Sequence, residues 1–230
     1  MSVLIIIPAY NEEESIVSTV QELLSTRLDN KWDYVVINDG STDATSSICH
    51  ERGFNVIDLP VNLGLTGAFQ TGMKYAYRNA FDAAIQFDAD GQHIPSHIDD
   101  LIALQRDSGA DIIIGSRFVN GIKPRSLRMA GNTLISALIK ATTGTVIHDP
   151  TSGMRLYNSR MIHEFAMRTD LSPEPDTLAY LIKKKNAKVA ECQVSMRERT
   201  AGESYLTATK AIKYMVESCT SILFSLWFRR

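Results

Sequence analysis

Asp88 and Asp90 flank a single alanine in the run Phe87-Asp88-Ala89-Asp90-Gly91-Gln92-His93. Two carboxylates one residue apart, just past an apolar segment, can approach one divalent cation directly or through water, and hard oxygen donors suit Mg²⁺ or Mn²⁺. Beside a diphosphate, such an ion neutralises the charge that builds on a departing nucleoside diphosphate. Gln92 and His93 follow at once and offer a further ligand. Alone, an Asp-x-Asp at a strand end is an ordinary turn or helix cap, so its meaning depends on its surroundings. Asp39, in Asn38-Asp39-Gly40-Ser41-Thr42-Asp43, has two readings. It is a turn residue, because Asp-Gly favours turns, or it accepts a hydrogen bond from a nucleobase N–H of the kind that a pyrimidine imide or guanine presents. Pro8-Ala9-Tyr10-Asn11-Glu12-Glu13 would set Tyr10 against that base and Glu12 near a ribose, with Glu13 and Glu14 as first-turn charges favoured by the helix dipole.

The elements that must position these groups are legible as alternating strands and helices. Val3–Ile7 is a short, β-branched apolar run ended by Pro8, the pattern of a buried parallel strand. Glu12 to Leu24 has helical spacing, and Tyr34–Ile37 is a second strand stopped by Asn38-Asp39-Gly40. Ser41-Thr42-Asp43 supplies cap-forming side chains for a helix through Cys49. Asn55–Asp58 reads as a third strand, Gly67 to Ala80 as a helix, and Ala83–Phe87 as a fourth strand that delivers Asp88 at its end. Pro95 to Gln105 is a further helix, followed by the strand Asp111–Gly115. This alternation predicts a doubly wound α/β sheet. Ligands bind such sheets beyond the carboxyl ends of the strands. The clusters Tyr10-Asn11-Glu12, Asp39-Gly40-Ser41 and Asp88-Ala89-Asp90 should therefore meet in one crevice. The second half is less regular, with a helix over Asn132–Thr142 and strands near Met154–Tyr157 and Ala187–Val194 that extend the sheet.

Bulk properties narrow the class. A chain of 230 residues, 44% apolar and 22% charged, can bury a full core as one domain. A net charge of -2 argues against nucleic-acid binding through bulk electrostatics. Cys49, Cys192 and Cys219 are far apart and lack metal-ligand spacing, which reads as a reduced cytoplasmic protein. The first residues lack the basic region and apolar length of a secretory signal. No run reaches the roughly 18–20 apolar residues that span a bilayer.

Taken in order, Pro8-Ala9-Tyr10-Asn11-Glu12-Glu13, Asn38-Asp39-Gly40-Ser41-Thr42-Asp43, Asn62-Leu63-Gly64, Asp88-Ala89-Asp90-Gly91-Gln92-His93 and Gly115-Ser116-Arg117 resemble the inverting family 2 glycosyltransferases of the GT-A fold. The branch most similar is that of dolichyl-phosphate mannose synthases and bacterial polyprenyl-phosphate glycosyltransferases, and the likeness covers roughly residues 2 to 206. The segment at 64–67 lacks a G-x-G-x-x-G pattern, which sets aside a hydride-transferring dinucleotide enzyme. The resemblance implies a Rossmann-like, mostly parallel sheet and a nucleotide-sugar donor held by Pro8, Ala9, Tyr10, Glu12, Asp39, Asp88, Ala89, Arg155 and Arg199. It implies Asp88, Asp90 and Gln92 around Mg²⁺ or Mn²⁺, with Asp90 and Arg117 at the chemistry. Arg117 would face phosphate, a task that suits a bidentate guanidinium, or else form a salt bridge. Ser152, in Asp149-Pro150-Thr151-Ser152-Gly153-Met154-Arg155, would approach the acceptor. Arg125 and Arg128 are either grips on an anionic acceptor or solvated loop charges. In Arg199-Thr200-Ala201-Gly202-Glu203-Ser204-Tyr205, Tyr205 stands where the lipid-phosphate branch commonly has lysine, so one phosphate contact is missing.

The acceptor stays open between two chemistries. Transfer to a sugar hydroxyl needs a general base, whereas a phosphate monoester is already an anion. Asp176, in Pro173-Glu174-Pro175-Asp176-Thr177, is that base or the N-cap of a helix through Lys183. At residues 207–230, beyond the glycosyltransferase domain of residues 1–206, Ile212, Met215, Val216, Cys219, Ile222, Leu223, Leu226 and Trp227 make an apolar helical stripe flanked by Lys210, Lys213, Arg229 and Arg230. Such a helix lies on an anionic membrane, packs on the core or a second subunit, or meets a small membrane protein. The leading expectation is hexose transfer from a UDP- or GDP-sugar to a polyprenyl phosphate for cell-envelope glycan synthesis, at the inner face of the membrane. The alternatives are a glycan-extending transferase with Asp176 as base, and a noncatalytic scaffold for a membrane partner.

Overall fold

The computed structural model describes residues 1–26, 32–120, 127–197 and 208–229. Seven strands, β1 (Val3–Ala9), β2 (Trp32–Asn38), β3 (Val56–Asp58), β4 (Ala83–Gln86), β5 (Ile112–Ser116), β6 (Arg155–Asn158) and β7 (Val189–Gln193), form one sheet in the order β3-β2-β1-β4-β6-β5-β7. All pairings are parallel except those of β6, which runs antiparallel to both β4 and β5. The helices are α1 (Ile16–Ser25), α2 (Thr45–Glu51), α3 (Gly64–Arg78), α4 (His97–Ser108), α5 (Leu127–Thr143), α6 (Ser159–Met167), α7 (Pro175–Lys185) and α8 (Ala208–Phe228).

Side chains alternate across a strand, so a sheet covered on both faces needs apolar residues at every position. In β1, Leu4 and Ile6 enter one core with residues of α3, α5, α6, α7 and α8, while Val3, Ile5 and Ile7 enter a second with residues of α1, α2 and α4. The result is three layers. Gly72 lets α3 lie close on the sheet, since a Cβ there would stand 2.3 Å from the Ile6 Cγ2.

Two elements depart from the sequence expectation. The strand expected near Met154–Tyr157 joins the sheet, but as β6 it is inserted between β4 and β5 rather than added at an edge, whereas β7 lies at the edge beside β5. Helix α6 was not anticipated, although Asn158 caps it by accepting from the Met161 N–H at 3.1 Å. Helix α8 docks through Tyr214, Ser218, Cys219, Ile222, Ser225 and Leu226, with Ile222 fully buried in the core shared with α5 and α7. The apolar stripe therefore splits. Val216, Leu223, Phe224, Trp227 and Phe228 face outward, with Trp227 82% exposed. Among the described residues, no helix is long and apolar enough to cross a membrane.

Asp111 ties the base of the β5–β6–β7 region. Its carboxylate accepts from Arg160 (Nε 2.9 Å, Nη2 2.6 Å), from the Asn158 amide at 2.9 Å and from the Lys188 N–H at 2.8 Å. Burial pushes this carboxyl up, but these donors outweigh it and hold it below the usual carboxylate range. A depressed folded pKa gives stability that is fully present above the unfolded value of about 3.9 and is lost as pH falls through the folded value. Asp111→Asn should cost on the order of 2 kcal/mol at pH 7. Urea melts should show the gap to wild type closing below about pH 4; a gap that stays constant down to pH 2 would show that the Asp111 charge contributes nothing.

Candidate active site

Strands β2, β1 and β4 are parallel neighbours, so the loops leaving their carboxyl ends emerge side by side. The first two are stitched together. Asp39 N–H donates to the Ala9 carbonyl at 2.8 Å, where β1 and β2 end in register. Asn11 turns the chain at φ 54, a conformation asparagine tolerates. Its N–H donates to the Ser41 hydroxyl at 3.0 Å and its side-chain oxygen accepts from the Thr42 N–H at 2.8 Å. Glu12 N–H donates to Thr45 Oγ1 at 2.8 Å, and the Glu12 carboxylate accepts from the Ser15 hydroxyl. Glu13, expected as a charge on its own helix, instead accepts from the Ala44 N–H at 2.9 Å and so serves the start of α2. These turns delay α1 to Ile16. Pro8 and Ala9 close β1, and Tyr10 is exposed.

Asp39 is 2% exposed, and one carboxylate oxygen accepts from the Leu63 N–H at 2.8 Å, at the start of α3. Its other oxygen makes no hydrogen bond among the described residues. Gly40 has φ 65, and a Cβ there would stand 2.7 Å from the Val61 carbonyl carbon, so a side chain would push the two loops apart. Asp39 and Gly40 thus lock residues 61–63 against the end of β2.

The third loop carries the carboxylates. Ala89 is buried and its carbonyl accepts from the Thr19 hydroxyl at 2.9 Å, which fastens the triplet to α1. Asp90 accepts from the Gln92 N–H at 3.1 Å, and the Gln92 side-chain amide donates to the Arg197 carbonyl at 3.3 Å. Asp88 Oδ1 accepts from Gln86 Nε2 at 3.1 Å, while its Oδ2 lies 3.1 Å from His93 Nε2. Burial alone would raise the Asp88 carboxyl, but the bonds from His93 and Gln86 and the nearby charges of His93 and Arg155 hold it below the usual carboxylate range. It is ionised at neutral pH. His93, expected as a further ligand, is buried behind Asp88 with a side chain only 1% exposed, whereas 35% of the Asp88 side chain is exposed. Among the described residues no three His, Cys, Asp or Glu groups form a closed metal cage. Asp88, Asp90 and Gln92 carry hard oxygen donors, the type that Mg²⁺ or Mn²⁺ takes together with waters and phosphate oxygens.

Opposite polarity delivers the remaining groups. Because β6 is antiparallel, the segment that precedes it arrives at the edge where β4 and β5 end. Gly153 lies against Asp88, and a Cβ there would stand 2.4 Å from Oδ2. Asp149 is fully buried and grips Arg117, which follows β5, through Nε at 2.7 Å and Nη2 at 2.8 Å. Asn132 from α5 donates to the same carboxylate at 2.9 Å, and Glu191 accepts from the His148 and Asp149 N–H groups. Burial raises the Asp149 carboxyl, and the bonds and charge of Arg117 together with the Asn132 amide more than reverse it. Arg117 is therefore held in a bidentate ion pair; its Nη1 makes no hydrogen bond among the described residues.

Other expected site residues point inward. Ser152 is buried and donates to the Gly115 carbonyl at 2.6 Å. Arg155 is 2% exposed and donates to the Ser152 and Pro150 carbonyls at 2.9 and 2.6 Å, so it shapes the 149–153 loop from within. Asp176 is not an N-cap: Glu174 holds that position, Pro175 begins α7, and the Asp176 carboxylate lies 3.2 Å from Arg229 Nη2 beyond α8. Arg128 sits in the first turn of α5 rather than in a loop. Arg125 and Arg199 lie outside the described residues. Asn132, Glu191, Gln86 and Gly153 carried no signal for these roles, which depend on contacts distant in sequence.

The glycosyl transferase family 2 model matches residues 4–165. The UDP-N-acetylglucosamine–dolichyl-phosphate N-acetylglucosaminyltransferase of Methanococcus voltae is 32% identical over 174 residues, covering 67% of this chain and 68% of that protein. The undecaprenyl-phosphate mannosyltransferase of Micrococcus luteus is 29% identical over 222 residues, covering 90% and 88%. Glucosyl-3-phosphoglycerate synthase from Mycobacterium tuberculosis, solved with Mn²⁺, UDP and phosphoglyceric acid, superposes with a TM-score of 0.69 at 16% identity over 98% of this chain and 78% of that one, and so shares its GT-A fold. The parallel edge with its acidic triplet and the match over most of the sheet agree: the chain belongs to glycosyl transferase family 2 and is an enzyme that transfers a sugar.

Proposed function

We propose that this enzyme moves a hexose from a UDP- or GDP-sugar to a polyprenyl phosphate, with inversion at the anomeric carbon. The observation that carries the acceptor assignment is the setting of Asp176: its side chain is only 13% exposed and one oxygen lies 3.2 Å from Arg229 Nη2, so a glycan hydroxyl has little access to it as a general base. A lipid phosphate needs no such base. The names of the M. voltae and M. luteus relatives support the same acceptor class, while their different sugars leave the sugar open.

On the donor side, the second Asp39 oxygen accepts the base N–H, and the exposed Tyr10 ring covers the base. Asp88, Asp90 and Gln92 would hold Mg²⁺ or Mn²⁺, which would supply positive charge beside the diphosphate as it departs. Arg117 presents Nη1 to phosphate while Asp149 fixes its other nitrogens, so the guanidinium is already oriented when substrate arrives. The outer face of α8, with Phe224, Trp227 and Phe228, lies in the headgroup region at the inner face of an anionic membrane, and Lys183 and Lys184 beside Trp227 supply matching charge.

Purified protein with Mn²⁺, a nucleotide sugar and a short polyprenyl phosphate should release nucleoside diphosphate and form a glycolipid. Release only when a glycan replaces the lipid would overturn the acceptor assignment. Asp176→Asn should keep turnover within about threefold of wild type, whereas a general base would show a loss of about 10²-fold or more. For the membrane, Phe224→Ser combined with Trp227→Ser should weaken cosedimentation with phosphatidylglycerol vesicles by about tenfold or more. A second copy of the chain or a small membrane protein on that face would instead leave vesicles alone unable to retain the wild type.

A further inference from the structure

Three separate pieces of chain meet at the Asp88 carboxylate. Gln86, at the end of its own strand, donates to Oδ1. His93, five residues on, meets Oδ2 from a buried position braced by the Phe87 ring at 5.4 Å and by the bridge between His93 and Met196. Gly153 brings bare backbone up to the same oxygen.

The imidazole is the informative member. A carboxylate only accepts, so the nitrogen that faces it carries the proton. The other nitrogen, Nδ1, is buried and has no partner among the described residues. A histidine placed only to fill the core would be expected to satisfy both nitrogens, since an unmade buried hydrogen bond costs about 1–3 kcal/mol. Here the ring satisfies one and directs it at Asp88. Each Asp88 oxygen then takes a single donor from the protein and keeps a further acceptor site.

We propose that His93 is a positioning residue that fixes the plane of the Asp88 carboxylate so that its remaining lone pairs converge with Asp90 on the divalent cation, with Gly153 as the backstop that admits this pose. The role rests on the assignment of Asp88 as a metal ligand. A hydrogen bond to a ligating group from behind typically changes metal affinity by about 10–100-fold.

Mn²⁺ binding, followed by the electron paramagnetic resonance of the free ion with UDP and separately with GDP present, reads this directly. His93→Phe removes the donor at similar volume and should weaken Mn²⁺ binding by about tenfold or more with little change in melting temperature. His93→Gln, which can place an amide N–H near the same point, should recover binding to within about threefold of wild type. Gly153→Ala leaves the histidine intact, pushes a methyl toward Oδ2 and should weaken Mn²⁺ similarly; it carries the test if His93→Phe does not fold. Binding within twofold of wild type in folded His93→Phe, or in Gly153→Ala, would overturn the positioning role. Asp88→Asn separates the two levels: if it binds Mn²⁺ as wild type does, the metal assignment fails and the positioning role fails with it.

Discussion

A strand that runs against its neighbours begins where they end. The antiparallel pairing of β6 with β4 on one side and β5 on the other is the constraint on which the rest of this site depends. It brings residues 149–153 to the carboxyl edge, between the loop that carries Asp88 and the one that carries Arg117. Contacts of three side chains then make that short segment a rigid spacer. Arg155 reaches back to the Pro150 and Ser152 carbonyls, Ser152 to Gly115, and Asp149 to Arg117. Run parallel to its neighbours in the same place, β6 would bring the segment that follows it, and not residues 149–153, to this edge.

The half-buried Arg117–Asp149 pair is better understood as an orienting device than as a source of stability. Removing two charges from water offsets most of what their attraction returns, and losing one partner strands the other. What the pair does provide is direction. Its two parallel bonds, with Asn132 on the same carboxylate, fix the guanidinium plane at a place where substrate phosphate is expected. A carboxylate also orients its surroundings at Asp39, where one oxygen accepts from the Leu63 N–H and fixes the start of α3.

The legible part of this architecture is the part governed by local pattern. Val3–Ile7, Tyr34–Ile37 and Ala83–Phe87 announce buried strands because a sheet covered on both faces demands unbroken apolar runs. The order of the motifs places Asp39 and Asp88 at the ends of those strands, where they are found. Direction is not written in the same way. Arg155–Asn158 would look identical whether it ran with or against its neighbours, so its insertion between β4 and β5 was invisible. Long-range hydrogen bonds were equally hidden: nothing in Glu13 points to Ala44, nor in Glu191 to His148. The outcome for Ser152 and Arg155 follows from that, since side chains that look available for phosphate are engaged with carbonyls that sequence does not locate. The α8 stripe divided for a related reason. A helix apolar on most sides does not declare which side its neighbours will take until α5 and α7 are in place.

That division has a thermal consequence. Phe224, Trp227 and Phe228 hold apolar surface against water in the isolated chain. Any association that covers them sheds ordered hydration, so it carries a negative change in heat capacity and loosens on cooling. The inner face of α8, bound to its own core, is subject to the same law but is tied to the folding of the whole domain. One helix thus joins two hydrophobic equilibria, one internal and one external, with temperature as their common control.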